Sequence, residues 1–165
     1  MKNGLKGRKS RKFDSPAQEV YLSLWRTYDR LRAIEDEVLA EFELTAQQYN
    51  VLRLLKAAHP EPVPTLQLSS RLISRAPDIT RMLDRLQEKD WVQRLRSEED
   101  RRAVLVAITP KGLELLKTMS DPIKKMHAAQ VGHLTAEETE TLCDLLASVR
   151  APHEPENSIW NESAD

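Results

Sequence analysis

A single stretch breaks the rhythm of this chain. Val104, Val106 and Ile108 alternate with Ala103, Leu105 and Ala107, a spacing of two, whereas apolar residues before and after it recur every three or four positions. Trp91, Gln93 and Leu95 supply an opposing strand, and the link between them, Arg96-Ser97-Glu98-Glu99-Asp100-Arg101-Arg102, is polar throughout. No Asn-Gly or Asp-Gly pair is present, so the pattern predicts a two-stranded hairpin with a long charged loop rather than a tight turn. The rest of the chain reads as mainly helical. A chain of 165 residues with 31% charged residues and only four glycines fits one mainly α domain with charged outer faces.

Upstream of the hairpin, Val20, Leu24, Tyr28, Leu31, Ile34, Val38 and Phe42 draw one stripe along a long helix from Ser15 to Phe42. Arg26, Arg30, Glu35, Glu37 and Glu41 occupy its water-facing side. Thr45-Ala46-Gln47-Gln48 has the form of a capping box and opens a second helix carrying Tyr49, Val51, Leu52, Leu54 and Leu55, stopped at His59-Pro60. Pro60, Pro62 and Pro64 make the next segment an extended connector. A short third helix begins at Thr65 with Leu66, Leu68 and Leu72 turned inward. A fourth starts around Ser74-Arg75-Ala76-Pro77, buries Ile79, Met82, Leu83 and Leu86, and ends near Lys89-Asp90. Two short helices with a tight break between them outline a helix-turn-helix.

Beyond the hairpin, Thr109-Pro110 caps a helix carrying Leu113, Leu115, Leu116, Met119, Ile123 and Met126, with a kink expected at Pro122. Leu134-Thr135-Ala136-Glu137-Glu138 is a second capping box, and Leu142, Leu145, Leu146 and Val149 stripe the last helix. No internal repeat is present.

The formal net charge of -1 argues against a protein that coats nucleic acid indiscriminately. Its distribution is uneven. Residues 1–12 carry Lys2, Lys6, Arg8, Lys9, Arg11 and Lys12 without an acid, whereas 151–165 carry Glu154, Glu156, Glu162 and Asp165, so both ends read as solvated, mobile tails. The lone Cys143 excludes an internal disulfide and a multi-cysteine metal site, and its place on the last helix's apolar side reads as a buried thiol. His59, His127, His133 and His153 have no metal-ligand spacing, so neither metal nor cofactor is expected. No apolar run approaches the length of a membrane span and no secretory leader opens the chain, which points to the cytoplasm.

The element order is that of a winged helix-turn-helix flanked by helical extensions. Such a fold presents the N-terminal residues of its second short helix to base edges in a major groove, with the hairpin reaching beside it. The run LSSRLISRAPDITRMLDRLQEKDWVQRLRSEEDRRAVLVAITPKGLELL, Leu68 to Leu116, resembles the core of the multiple-antibiotic-resistance-regulator (MarR) family. Its wing signature stands here as Asp100-Arg101-Arg102, and its helix start as Ile108-Thr109-Pro110-Lys111-Gly112. The resemblance implies a bacterial homodimeric repressor in which residues 16–44 and 110–150 dimerise, 45–109 bind DNA, and 1–15 and 151–165 are tails. The partner is then a pseudo-palindromic duplex operator with half-sites about 10 base pairs apart or a multiple of that.

Arg75, Asp78, Thr80, Arg81 and Arg85 fall on the recognition helix or just before it and are the candidates for base edges and phosphates. An aspartate facing DNA is repelled by phosphate, so Asp78 also reads as a helix-start residue. Ser69, Ser70 and Arg71 are phosphate candidates on the preceding helix, and Arg94 and Arg96 on the first wing strand. Arg101 and Arg102 are placed at or beside the minor groove, with Asp100 orienting one of them. By resemblance, Asp84 braces the wing through an ion pair. Where the family binds a small phenolic or aromatic effector it does so between the helical layer and the winged domain; Trp25, Tyr28, Tyr49 and Trp91 are candidate linings there, and equally candidates for core or dimer contacts.

An enzyme is not expected, because no nucleophile elbow, phosphate loop or paired-carboxylate motif occurs. The competing reading is a winged-helix module that contacts protein. Charge separates the two, since only a DNA-binding face gives a steep salt dependence.

Overall fold

Five of the seven described α-helices begin where a short polar side chain takes up a free backbone N–H. The computed structural model describes residues 13–73, 78–96 and 103–154. Ser15 caps α1 (Pro16–Ala40), Thr45 caps α2 (Ala46–Ala58), Asp78 caps α4 (Ile79–Glu88), Thr109 caps α5 (Pro110–Thr118) and Thr135 caps α7 (Ala136–Arg150). Both expected capping boxes form, Thr45 with Gln48 and Thr135 with Glu138. The remaining helices are α3 (Thr65–Ser70) and α6 (Ser120–Val131), and a short 3-10 turn, Ala151–His153, extends α7 into the expected tail.

Two helix ends share a device. Leu44 N donates to Leu39 O at 3.1 Å and Trp91 N to Leu86 O at 3.0 Å, the six-to-one bond that closes a helix through a left-handed residue. Glu43 (φ 55°) and Asp90 (φ 60°) hold those left-handed positions in place of the usual glycine. Lys89 Nζ reaches Glu43 Oε2 at 2.6 Å, so the end of α4 is tied to the end of α1.

The hairpin forms as expected, with β2 (Val92–Arg96) antiparallel to β3 (Val104–Ile108) and Val92 opposite Ile108. A third strand was not foreseen. The connector contributes β1 (Val63–Pro64), which pairs with β3 on its other side, Val63 opposite Val106, giving the order β1-β3-β2. Proline is tolerated there because β1 is an edge strand. Thr65 Oγ1 then donates to Val104 O at 2.9 Å and ties the start of α3 to the same strand.

The core runs through the middle of the chain. Leu39, Val51, Leu52, Leu55, Leu68, Leu83, Leu86, Val92, Val106 and Met119 are its fully buried side chains. Gly112 is where α5 passes over Trp91: a Cβ there would lie 2.3 Å from Trp91 O, and that carbonyl already accepts from Thr109 N at 3.0 Å.

Several expectations are corrected. The helix expected to run from Pro110 through a kink at Pro122 is two helices meeting at Met119, which puts Pro122 in the first turn of α6, where its missing N–H costs nothing. The described part of the fourth helix runs from Ile79, and the start read at 74–77 lies outside the described residues. Leu66, expected inside, is 86% exposed. In the stripe of the first helix, Val20 and Tyr28 are exposed beside Tyr21 and Trp25, whereas Ile34, Val38 and Phe42 pack against the core. The stripe of the last helix is largely uncovered, with Leu142, Leu145 and Val149 exposed and no residue of α7 buried. Cys143 shares that open helix and is exposed rather than buried. The readings of the basic N-terminal tail and of the last residues of the acidic tail concern residues outside those described.

Candidate DNA-binding surface

α4 is amphipathic in the strict sense. Met82, Leu83 and Leu86 are buried on one side, and Thr80, Arg81 and Arg85 are exposed on the other. Because the buried stripe locks the helix's rotation, the two arginines, one turn apart, are aimed at solvent as a pair. Asp78 stands at the N-cap, its Oδ1 accepting from Arg81 N at 3.0 Å and its Oδ2 lying 3.7 Å from Arg81 Nε. The expected helix-start role of Asp78 is therefore what the geometry shows.

The wing is fastened to this helix by Arg94. Its guanidinium donates to Asp84 Oδ1 at 2.5 Å, to Thr80 O at 3.0 Å and to Gln87 Oε1 at 3.3 Å. Asp84 thus braces the wing, as the resemblance implied. Arg94, expected among the phosphate contacts, has its charge turned toward α4 and its side chain only 27% exposed. Strand parity placed Arg94 and Arg96 on one face but could not say that α4 covers the first; Arg96, at the end of β2, is exposed.

On α3, Ser70 is exposed and its hydroxyl donates to Gln67 O at 2.9 Å, while Ser69 is half-buried. Arg71 closes that helix, its backbone N–H bonded to Leu68 O. Ile73 follows it, 75% exposed, at the approach to α4. Arg75, Asp100, Arg101 and Arg102 lie outside the described residues.

Two clefts open beside α4. One, of about 570 Å³, lies between α3, α4 and the wing and is lined by Pro64, Thr65, Leu66, Thr80, Leu83, Arg94, Ala103 and Val104. The other, of about 230 Å³, lies between α2 and α4 and is lined by Thr45, Gln47, Gln48, Asp78, Arg81, Met82 and Arg85. None of the four aromatics considered for an effector lines either cleft. Trp91 is in the core under Lys89, Tyr49 packs against the core, and Trp25 and Tyr28 are exposed on α1. The wing-side cleft combines apolar walls with one guanidinium, a composition that sequence reasoning missed because its residues come from five separate elements.

Among the described residues no group of three or more His, Cys, Asp or Glu could hold a metal ion, and no helix is long and apolar enough to cross a membrane.

A helix-turn-helix, a hairpin braced against its second helix, and an outward pair of arginines define a winged-helix DNA-binding protein. Residues 44–104 match the model of the MarR family. The multiple antibiotic resistance protein MarR of Salmonella typhimurium is 34% identical over 112 residues, 67% of this chain and 76% of that one. A MarR transcription factor from Planctomyces limnophilus, known as a crystal structure, is 52% identical over 83% of this chain and 99% of its own, with a TM-score of 0.66. A mutant of E. coli MarR crystallised with operator DNA is 28% identical over 84% of this chain and 99% of its own, with a TM-score of 0.74. The chain belongs to the MarR family, whose members are DNA-binding transcription regulators and not enzymes.

Proposed function

We propose that this protein is a homodimeric repressor that binds a pseudo-palindromic operator through α4 and the wing. The observation that carries the reading is the outward Arg81 and Arg85 on a helix whose rotation is set by its buried stripe and whose wing is pinned to it by Arg94. Base contacts fall to Thr80, Arg81 and the preceding Arg75, phosphate contacts to Ser69, Ser70, Arg71, Arg85 and Arg96, and the flanking groove to Arg101 and Arg102, oriented by Asp100. The operator complex of E. coli MarR supports this assignment by likeness.

The dimer rests on α1 and α7. Tyr21, Trp25, Tyr28, Leu142, Leu145 and Val149 are exposed among the described residues, and large apolar side chains gathered on terminal helices favour burial against a second copy. Residues 16–44 and 110–150 then form the dimer layer and 45–109 the DNA-binding part, in a cytoplasmic protein. A small aromatic effector fits the wing-side cleft, where Arg94 offers a cation beside apolar walls. An effector there relieves repression only by binding better to the conformer that does not fit the operator.

Fluorescence anisotropy against duplexes from the gene's own upstream region, at two salt concentrations, tests the reading. Selective binding that weakens steeply with salt and is lost in Arg81→Ala and Arg102→Ala is the expected result. Equal, weak binding to all duplexes, unchanged by either substitution, would overturn it in favour of a protein-binding winged helix.

A further inference from the structure

We infer that Asp78 is a specificity-determining residue, one that lowers affinity for non-operator DNA while holding Arg81 for a base edge; the inference rests on the proposed operator binding through α4.

Both carboxylate oxygens of Asp78 are committed to one residue. Oδ1 accepts from the Arg81 backbone at 3.0 Å, which anchors the helix start, and Oδ2 faces Arg81 Nε at 3.7 Å. The Nε side of the guanidinium is therefore engaged, while its terminal amines have no partner among the described residues, and the side chain is 75% exposed. That is the arrangement needed for a two-pronged approach to guanine O6 and N7, since the terminal amines form the outer edge of the fork. The nearby carboxylate biases the guanidinium toward the helix start, which lessens the rotamer freedom that a long, exposed arginine otherwise loses on binding.

The same carboxylate acts oppositely on unspecific binding. The first turn of a helix attracts phosphate through its free N–H groups and dipole. Here one of those N–H groups is already taken, and a negative charge, 46% exposed, stands in the position a phosphate would approach. Arg81, with this carboxylate 3.7 Å from its Nε, is also a poorer generic counter-ion. Non-operator binding, which relies on phosphate alone, loses from both effects. Operator binding loses less, because there Arg81 is directed at a base. Asp78 therefore separates the two affinities by weakening the wrong one.

The test uses substitutions that keep the cap and remove the charge. Asparagine and serine cap helices about as well as aspartate, so Asp78→Asn and Asp78→Ser leave the start of α4 intact, and matched thermal melts verify this. Wild-type protein first selects its preferred duplex from a randomised pool; both variants are then titrated with that duplex and with a scrambled one across a salt series. The expected result is tighter binding of the scrambled duplex by both variants, with a salt slope steeper by about one unit. The ratio of selected to scrambled affinity is expected to fall about tenfold. An unchanged ratio, or equal loss on both duplexes in variants that melt like the wild type, overturns the inference while leaving operator binding standing. If the wild-type protein enriches no duplex at all, the operator reading falls and takes this role of Asp78 with it.

Discussion

Arg94, on the first strand of the wing, meets Asp84, on α4, at 2.5 Å, and this contact joins the two elements proposed to address DNA. The aspartate is 47% exposed, so solvent screens much of the pair's attraction, yet Arg94 is mostly enclosed and loses its only carboxylate among the described residues if Asp84 is removed. Asp84→Ala is expected to cost about 1 kcal/mol and lower Tm by roughly 2–4 °C. It should weaken operator binding more than that loss of stability explains, because the wing loses its orientation. A double-mutant cycle with Arg94→Ala checks the relationship, with a coupling above about 0.5 kcal/mol expected.

Gly112→Ala sets two effects against each other. Alanine is favoured over glycine within a helix by about 1 kcal/mol. The new Cβ, however, would stand 2.3 Å from Trp91 O and 2.8 Å from Ile108 Cγ1, and a backbone carbonyl between two elements cannot swing aside as a flexible side chain does. The clash wins, and a net loss of about 1–3 kcal/mol is expected. Urea denaturation should show a lower midpoint with an unchanged slope. A midpoint at or above that of the wild type would mean that α5 can lift off Trp91 freely.

What could be read from the sequence was whatever lies close together along it. The boxes Thr45 with Gln48 and Thr135 with Glu138 span four residues each, and the α4 stripe of Met82, Leu83 and Leu86 shows its period within a single helix. Partners far apart were hidden. Val63 and Pro64 join the sheet by pairing with the distant Val106 and Leu105, and a two-residue strand has no period of its own to reveal it. Arg94 looked like any wing cation because its acceptors sit on another element, and the wing-side cleft was illegible for the same reason. The exposure of Leu66 and Cys143 was misjudged because apolar spacing marks a face without saying what covers it.

The junction of α1 with α6 predicts a pH effect. Gln130 Nε2 donates to Leu31 O at 2.9 Å and Gln130 Oε1 lies 3.0 Å from His127 Nδ1, so α6 grips α1 beside Glu35. Burial, and then the neighbouring Asp36, hold the Glu35 carboxyl above its ordinary value of 4.5, against the opposing pull of His127 and Arg32. The folded chain therefore keeps this proton to a higher pH than the unfolded chain does. Its contribution to stability is full below pH 4.5 and is lost as pH rises through the folded value. Glu35→Gln should raise Tm at neutral pH, with the difference between variant and wild type shrinking as the pH is lowered. A difference that stays constant from pH 7 to pH 4 would assign the effect to packing instead of charge.

Leu145 tests the dimer. It is 60% exposed on α7, a helix that buries none of its own residues, and its apolar neighbours Leu142 and Val149 lie one turn to either side. A charge placed there costs little in an isolated chain, because the position is already open to water. In a dimer that seals α7 against its partner the same charge meets its own symmetry copy's surroundings, desolvated and unpaired on both sides at once. Leu145→Glu is therefore expected to convert a dimer into a species near the 18.9 kDa of one chain by light scattering, without loss of helical circular dichroism. Operator affinity should fall with it, since a single recognition helix contacts only one half-site. A variant that remains dimeric and binds as before would place the dimer contact elsewhere, with the exposed Trp25 and Tyr28 of α1 as the next positions to substitute.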